Sequence, residues 1–211
     1  GMNLTGTSPV VAATASSVGF RTKTAGSPID LGAADAPGLL GLTDAELDRI
    51  IAESVRIGDA TSGAITVSAA ISHSNSLVLA TGAGLTFQQR LTVPSIKTLT
   101  LRTGPVTSAP GDVVDVQAGT LWLDTLAAVG AAENPLTVAL DKLWGTVGGD
   151  LFIRENDGVL NKVDIVGPLS AGSNTIHLVG GQFILAADYL IDDDSRINVN
   201  GGTFDLGAWQ D

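Results

Sequence analysis

The sequence predicts an all-β fold, a parallel β-helix or solenoid that carries one short α-helix near residues 43–55. Three observations point there. A unit of about two dozen residues recurs along the chain, each copy holds two short runs of alternating apolar residues, and a Gly-rich corner separates the runs. Alternation with period two is the mark of half-buried strands. A unit this small cannot bury its apolar side alone, but copies stacked on one another close a continuous core.

The repeat is clearest near the C-terminal end. Residues 174–187 (NTIHLVGGQFILAA) lie over residues 195–208 (SRINVNGGTFDLGA) at an offset of 21. Ile176 then falls on Ile197, Leu178 on Val199, Phe183 on Phe204 and Leu185 on Leu206, and the two Gly pairs coincide. Its centre recurs as GGDLFI at 148–153 and AGTLWL at 118–123, with looser relatives at 77–87 and 99–106. Glycine at such a corner permits positive φ or close backbone approach. The alternative is that LVGGQF, residues 178–183, forms a two-residue hairpin turn, which gives an antiparallel β-sandwich or meander.

Taken in chain order, Val18 to Thr22 and Ile29 to Leu31 read as strands of a first coil within residues 1–42. A helix is expected over 43–55. Thr43 and Glu46 form a capping box, Asp44 and Glu46 suit the positive end of a helix dipole, and Leu47, Ile50, Ile51 and Val55 recur at helical spacing. This helix either inserts along the side of the solenoid, the preferred placement, or lids its open end. Residues 56–211 supply the remaining coils, with displayed loops at 105–112, 129–135 and 167–173.

Composition excludes several functions. The chain of 211 residues carries 22 acidic and 11 basic side chains, a formal charge of −11, with no basic stripe, so nucleic acid is not an expected partner. No run approaches the ~20 apolar residues of a membrane helix, so membrane insertion is not expected. The absence of Cys excludes disulfides, thiolate catalysis and Cys-ligated zinc. No signal peptide is evident at the ends, and Gly1-Met2 reads as a remnant of tag cleavage.

Candidate chemistry is sparse, and no catalytic residue, cofactor or tight metal is expected. Asp192, Asp193 and Asp194 form the densest carboxylate run and are the candidates for a cation or a catalytic role. Consecutive strand residues point to opposite faces, so the triplet converges poorly and reads as an exposed loop. Residues 154–158 (RENDG) lack the ligand spacing of a calcium loop and read as a turn. His177 aligns with Asn198, which suggests an outward position open to any polar residue. Trp122 alternates with Leu121 and Leu123 and therefore points away from them; it is the candidate ligand-binding side chain.

INVNGGTFDLGAW, residues 197–209, resembles the autotransporter-associated β-strand repeat, and residues 30–72 are similar to a module of very large bacterial surface proteins of the filamentous-haemagglutinin and autotransporter-passenger kind. The resemblance implies a right-handed β-helix on an exported or cell-surface protein. Adhesion or display is its usual role, with surface glycans or proteins and flanking repeats of the same polypeptide as partners. Parallel β-helices also include polysaccharide lyases, so a lyase or hydrolase using carboxylates on the solenoid face is the alternative. It requires acids from successive coils to line up, whereas Ile184 aligns with Asp205.

Overall fold

A computed structural model describes residues 11–111, 113–158, 162–187, 190–191 and 194–206. The fold is a parallel β-solenoid of about seven turns with almost no helix. Among the described residues every paired strand runs parallel to its neighbour, and the one antiparallel contact is the isolated bridge between Ala36 and Leu39. The meander alternative therefore does not occur. Gly180 and Gly181 lie inside the strand Thr175–Leu185 rather than at a hairpin tip.

Each winding contributes to three faces, and on each face one inward residue per turn stacks on its equivalent. The first face carries the row Val18, Val55, Leu77, Leu99, Leu121, Leu143, Ile165, Leu185. From Val55 to Ile165 these positions recur every 22 residues. The second face carries Ile29, Ile65, Leu85, Val106, Val129, Leu151, Ile176 and Ile197. A shorter third face carries Ile71, Leu91, Val116 and Val138, and then Glu155. Nearly all the apolar members are buried, so the core is a set of parallel columns, each rung ~4.8 Å from the next. Backbone ladders across the turns and apolar contact along the columns hold the stack together.

The first winding is longer because the chain makes an excursion between Leu31 and Ile50. The capping interaction forms as expected: Thr43 N–H and its hydroxyl both donate to Glu46 Oε2, at 2.9 and 2.8 Å. The helix nevertheless spans only Asp44–Leu47, and the chain turns into the strand Ile50–Ile57. Two periodicities compete in this segment. Helical spacing gathers Leu47, Ile50, Ile51 and Val55, but period two gathers Ile50 and Ala52 and, after a register shift, Val55 and Ile57. The second set wins because it gives Val55 and Ile57 ladder partners on both sides, in Val11–Phe20 and Ser76–Ala80, and pairs Ile50 and Ile51 with the first of these strands. A helix there would leave the first face without a rung.

The excursion also lies on the end of the stack rather than along its side. Leu40–Leu42 pairs with the outer edge of Ile29–Leu31. Asp44 Oδ1 accepts the Ser72 N–H at 2.7 Å on the strand Ile71–Ser72, which pairs with Leu91–Thr92 on its other side. Leu42 and Leu47, both on the excursion, are buried and join the hydrophobic core. Capping these edges removes open donors and acceptors that would otherwise pair with another chain.

The expected display loops are also shorter than the sequence suggests. Val106–Ser108 is a strand, Val129 is a buried rung, and Lys162–Ser170 is a strand through Gly167.

Candidate functional site

The outer surface of the first face follows from the same alternation that builds the core. Since Leu99, Leu101, Leu121, Leu123 and Leu143 point inward, the residues between them point out, and parallel register sets like positions side by side. Trp122 thus pairs with Trp144, and their rings stack 4.8 Å apart at 5°. The Arg102 guanidinium carbon sits 4.9 Å from the Trp122 ring centroid, and its Nε is 3.2 Å from Asp124 Oδ2. On the far side Gly167 stands against Trp144, where an added Cβ would come within 3.2 Å of the ring. Trp122 therefore keeps the outward position expected of it, but its two ring faces are covered by Arg102 and Trp144. Only ring edges remain for a ligand, and stacking a sugar on a Trp122 face would first require opening the column.

A second outward column lies on the second face. Phe152 and His177 stack at 4.0 Å and 6°, and Asn198 Nδ2 is 3.3 Å from His177 Nδ1. The register sets His177 beside Asn198 as the repeat alignment anticipates. Asp164 pairs laterally with Lys142 and Ile184, and Ile184 pairs with Asp205, so an apolar residue separates these two acids. Asp192 and Asp193 lie outside the described residues. Asp194 is exposed in a turn. Among the described residues no group of three His, Asp or Glu side chains is arranged to hold a metal ion.

Among the described residues, three titratable groups are buried inside the stack. Glu155 is the most unusual: the strand Leu151–Glu155 alternates Leu151, Ile153, Glu155 inward, so the carboxyl occupies a rung beside Val138 and is 2% exposed. Oε2 accepts the Leu140 N–H at 3.3 Å, and Oε1 has no partner. Burial pushes its pKa up to about 8, an effect the Leu140 N–H partly opposes, with the nearby Asp157 and Asp141 adding to the rise. Gly181, at φ 83°, packs against it: a Cβ there would lie 2.4 Å from that of Glu155. The paired-glycine corner thus lets the backbone close over an interior acid.

Asp115, 6% exposed, is better satisfied. Ser108 Oγ lies 2.8 Å from both of its oxygens and the Thr137 N–H donates to Oδ2 at 2.9 Å, tying one turn to the next. Burial still raises its pKa. His73 alternates inward after Ile71, is 1% exposed and has no partner for either ring nitrogen. Desolvation lowers its pKa against the opposing charges of Asp48, just past the short helix, and Asp44 at its start.

Asp141 and Asp157 line a cleft of about 380 Å³ that crosses several turns, together with Thr92, Ser95 and Gln117. Glu155 is not among its lining residues and lies behind the Leu140 backbone. The chain matches no protein-family model, and comparison with curated proteins and with solved structures finds no similar protein.

Proposed function

We propose that the chain is a rigid structural segment of a large exported bacterial surface protein, a rod that spaces or displays binding surfaces and carries out no chemistry of its own. One observation carries this reading: the inward row that repeats every 22 residues from Val55 to Ile165, with each turn in register on the last. Such a row commits the side chains of every winding to one architectural task, and its length scales simply with the number of windings. The outer faces support the same reading. Their columns of Trp122 with Trp144, and Phe152 with His177, are themselves extensions of the stacking rule. Long shallow faces of this kind suit surface glycans or proteins rather than a small substrate.

A second reading, a polysaccharide lyase or hydrolase, has one feature in its favour. Asp141 and Asp157 share a cleft, and the Glu155 carboxyl lies behind it. The two readings separate in a pair of measurements. An antibody to this segment is expected to label intact cells of the source bacterium, and labelling only after permeabilisation contradicts the surface rod. The purified chain, incubated with uronate-rich polysaccharides, is expected to release no unsaturated or reducing ends. Steady release that is lost in Asp141→Asn or Asp157→Asn favours the enzyme.

A further inference from the structure

At the capped end two tight turns face one another across an open cleft of about 550 Å³. One turn follows the first strand: the Ser27 N–H donates to Thr24 O at 3.2 Å, and the Gly26 N–H to Thr61 O at 2.8 Å on the next winding. The other belongs to the excursion, where Ala36 and Leu39 exchange both backbone hydrogen bonds, at 3.0 and 3.4 Å. The Leu40 N–H donates to Pro28 O at 3.1 Å and fixes one turn against the other. Positive φ at Gly26 (75°) and Gly38 (79°) lets both chains reverse this sharply. The cleft is therefore bounded by hydrogen-bonded backbone and is largely preformed, with a volume in the range of small-ligand sites.

Its lining is chemically mixed. Arg21 and Lys23 stand on one wall with the hydroxyl-bearing Thr22, Thr24 and Ser27, and Asp35 stands on the facing loop. Two cations in one cleft contrast with a chain whose acids outnumber its bases 22 to 11. Arg21 is only loosely tied: its Nη1 is 3.9 Å from Asp59 Oδ2 and its side chain is 79% exposed. Asp59 depends little on it, because Thr61 N–H and Oγ1 donate to Oδ1 at 2.8 and 2.7 Å. The guanidinium can swing onto a ligand while Asp59 remains satisfied.

This lining discriminates among anions. An Arg fork and a neighbouring ammonium suit a carboxylate. Asp35, whose Oδ1 accepts the Gly41 N–H at 3.3 Å, opposes a small, multiply charged anion such as sulfate, but its negative charge suits a ligand that presents hydroxyls, and the hydroxyls of Thr24 and Ser27 flank the cations. We propose that this cleft binds the carboxylate-bearing unit of an acidic polysaccharide, a hexuronate. The site is independent of the rod reading, since a surface spacer or an enzyme could each carry it. Its lining residues include no aromatic ring to stack a sugar, so one unit binds weakly, with Kd on the order of 1 mM.

The test is a titration of the whole ¹⁵N-labelled chain with a galacturonic acid trimer, its methyl-esterified counterpart and inorganic sulfate. The free acid is expected to move backbone resonances clustered at residues 21–27 and 35–40. R21A/K23A is expected to weaken it about tenfold or more, and Arg90→Ala, a substitution remote in sequence from the cleft, to leave it unchanged. Equal response to the ester, equal competition by sulfate, or no cleft response up to about 10 mM acid overturns the proposal. The acid-to-ester comparison uses the unaltered chain, so it decides even if the double variant folds poorly. Failure here leaves the cell-surface labelling result untouched.

Discussion

Glu155→Gln is expected to leave stability near pH 5 almost unchanged and to raise it by several kcal/mol near pH 9. Glutamine keeps the shape of the protonated acid and cannot ionise. In the native chain the folded pKa, about 8, stands well above the ordinary 4.5, so the folded state holds a proton that the unfolded state has released. The stability linked to that proton is fully present below about pH 4.5. It declines as pH rises and is gone above about pH 8, a total on the order of 5 kcal/mol. Asp115 and His73 also titrate, but both are present in variant and parent, so the difference between the two proteins isolates Glu155. Urea unfolding at about pH 5, 7 and 9 reads it directly. Curves that run parallel at all three values contradict a buried, proton-holding Glu155.

Gly119→Ala is expected to destabilise the solenoid by about 3 kcal/mol or more. Gly119 sits at a corner where successive windings touch backbone to backbone. A Cβ on it would lie 1.6 Å from the Ser95 carbonyl oxygen and 2.2 Å from its carbon. Neither atom is a side-chain tip that can swing aside, so the turns must separate. Separation strains the Gly119 N–H to Pro94 O bond (3.3 Å) and the Thr120 N–H to Lys97 O bond (3.0 Å), which lead into the Leu121 rung. Gly19→Ala is the control, because nothing lies within 4 Å of a Cβ there; its change is expected to stay within about 0.5 kcal/mol. Equal urea midpoints for the two variants would mean that the turns are not in backbone contact at Gly119.

The stacking of the last turns could be read from the chain because like residues fall on like. The offset of 21 sets Ile176 on Ile197, Phe183 on Phe204 and Gly181 on Gly202, and the register does the same. Earlier turns were harder to phase. AGTLWL and GGDLFI look alike, yet Leu121 belongs to the first face and Leu151 to the second. A small–Gly–x–apolar corner serves more than one face, so the local motif does not fix position within the winding. The sequence overstates the helix because a sound capping signal at Thr43 is followed by residues that satisfy two periods at once, and strand pairing decides between them.

The interior titratable groups are masked in the sequence for a related reason. Residues 154–158 carry a strong turn signal in Asn156-Asp157-Gly158 that hides the strand position of Glu155, although Leu151, Ile153 and Glu155 share one parity. His73 shares the parity of Ile71 in the same way. The cleft at the capped end could not be read at all. Its two walls come from turns whose facing arrangement depends on the excursion folding back over the end of the stack.

Disulfide trapping between neighbouring windings tests the stacking most directly, since the chain has no cysteine to interfere. Thr98 lies beside Thr120, and Arg102, by the same register, beside Asp124, all on the outer surface. T98C/T120C and R102C/D124C are therefore expected to oxidise readily to an intramolecular bond, with Cα atoms near the ~5.5 Å that a disulfide spans. The crossed pairs T98C/D124C and R102C/T120C are expected to remain reduced. Preferential closure of the crossed pairs would mean that these strands run in opposite directions, and neither the solenoid nor the rod built on it would survive that result.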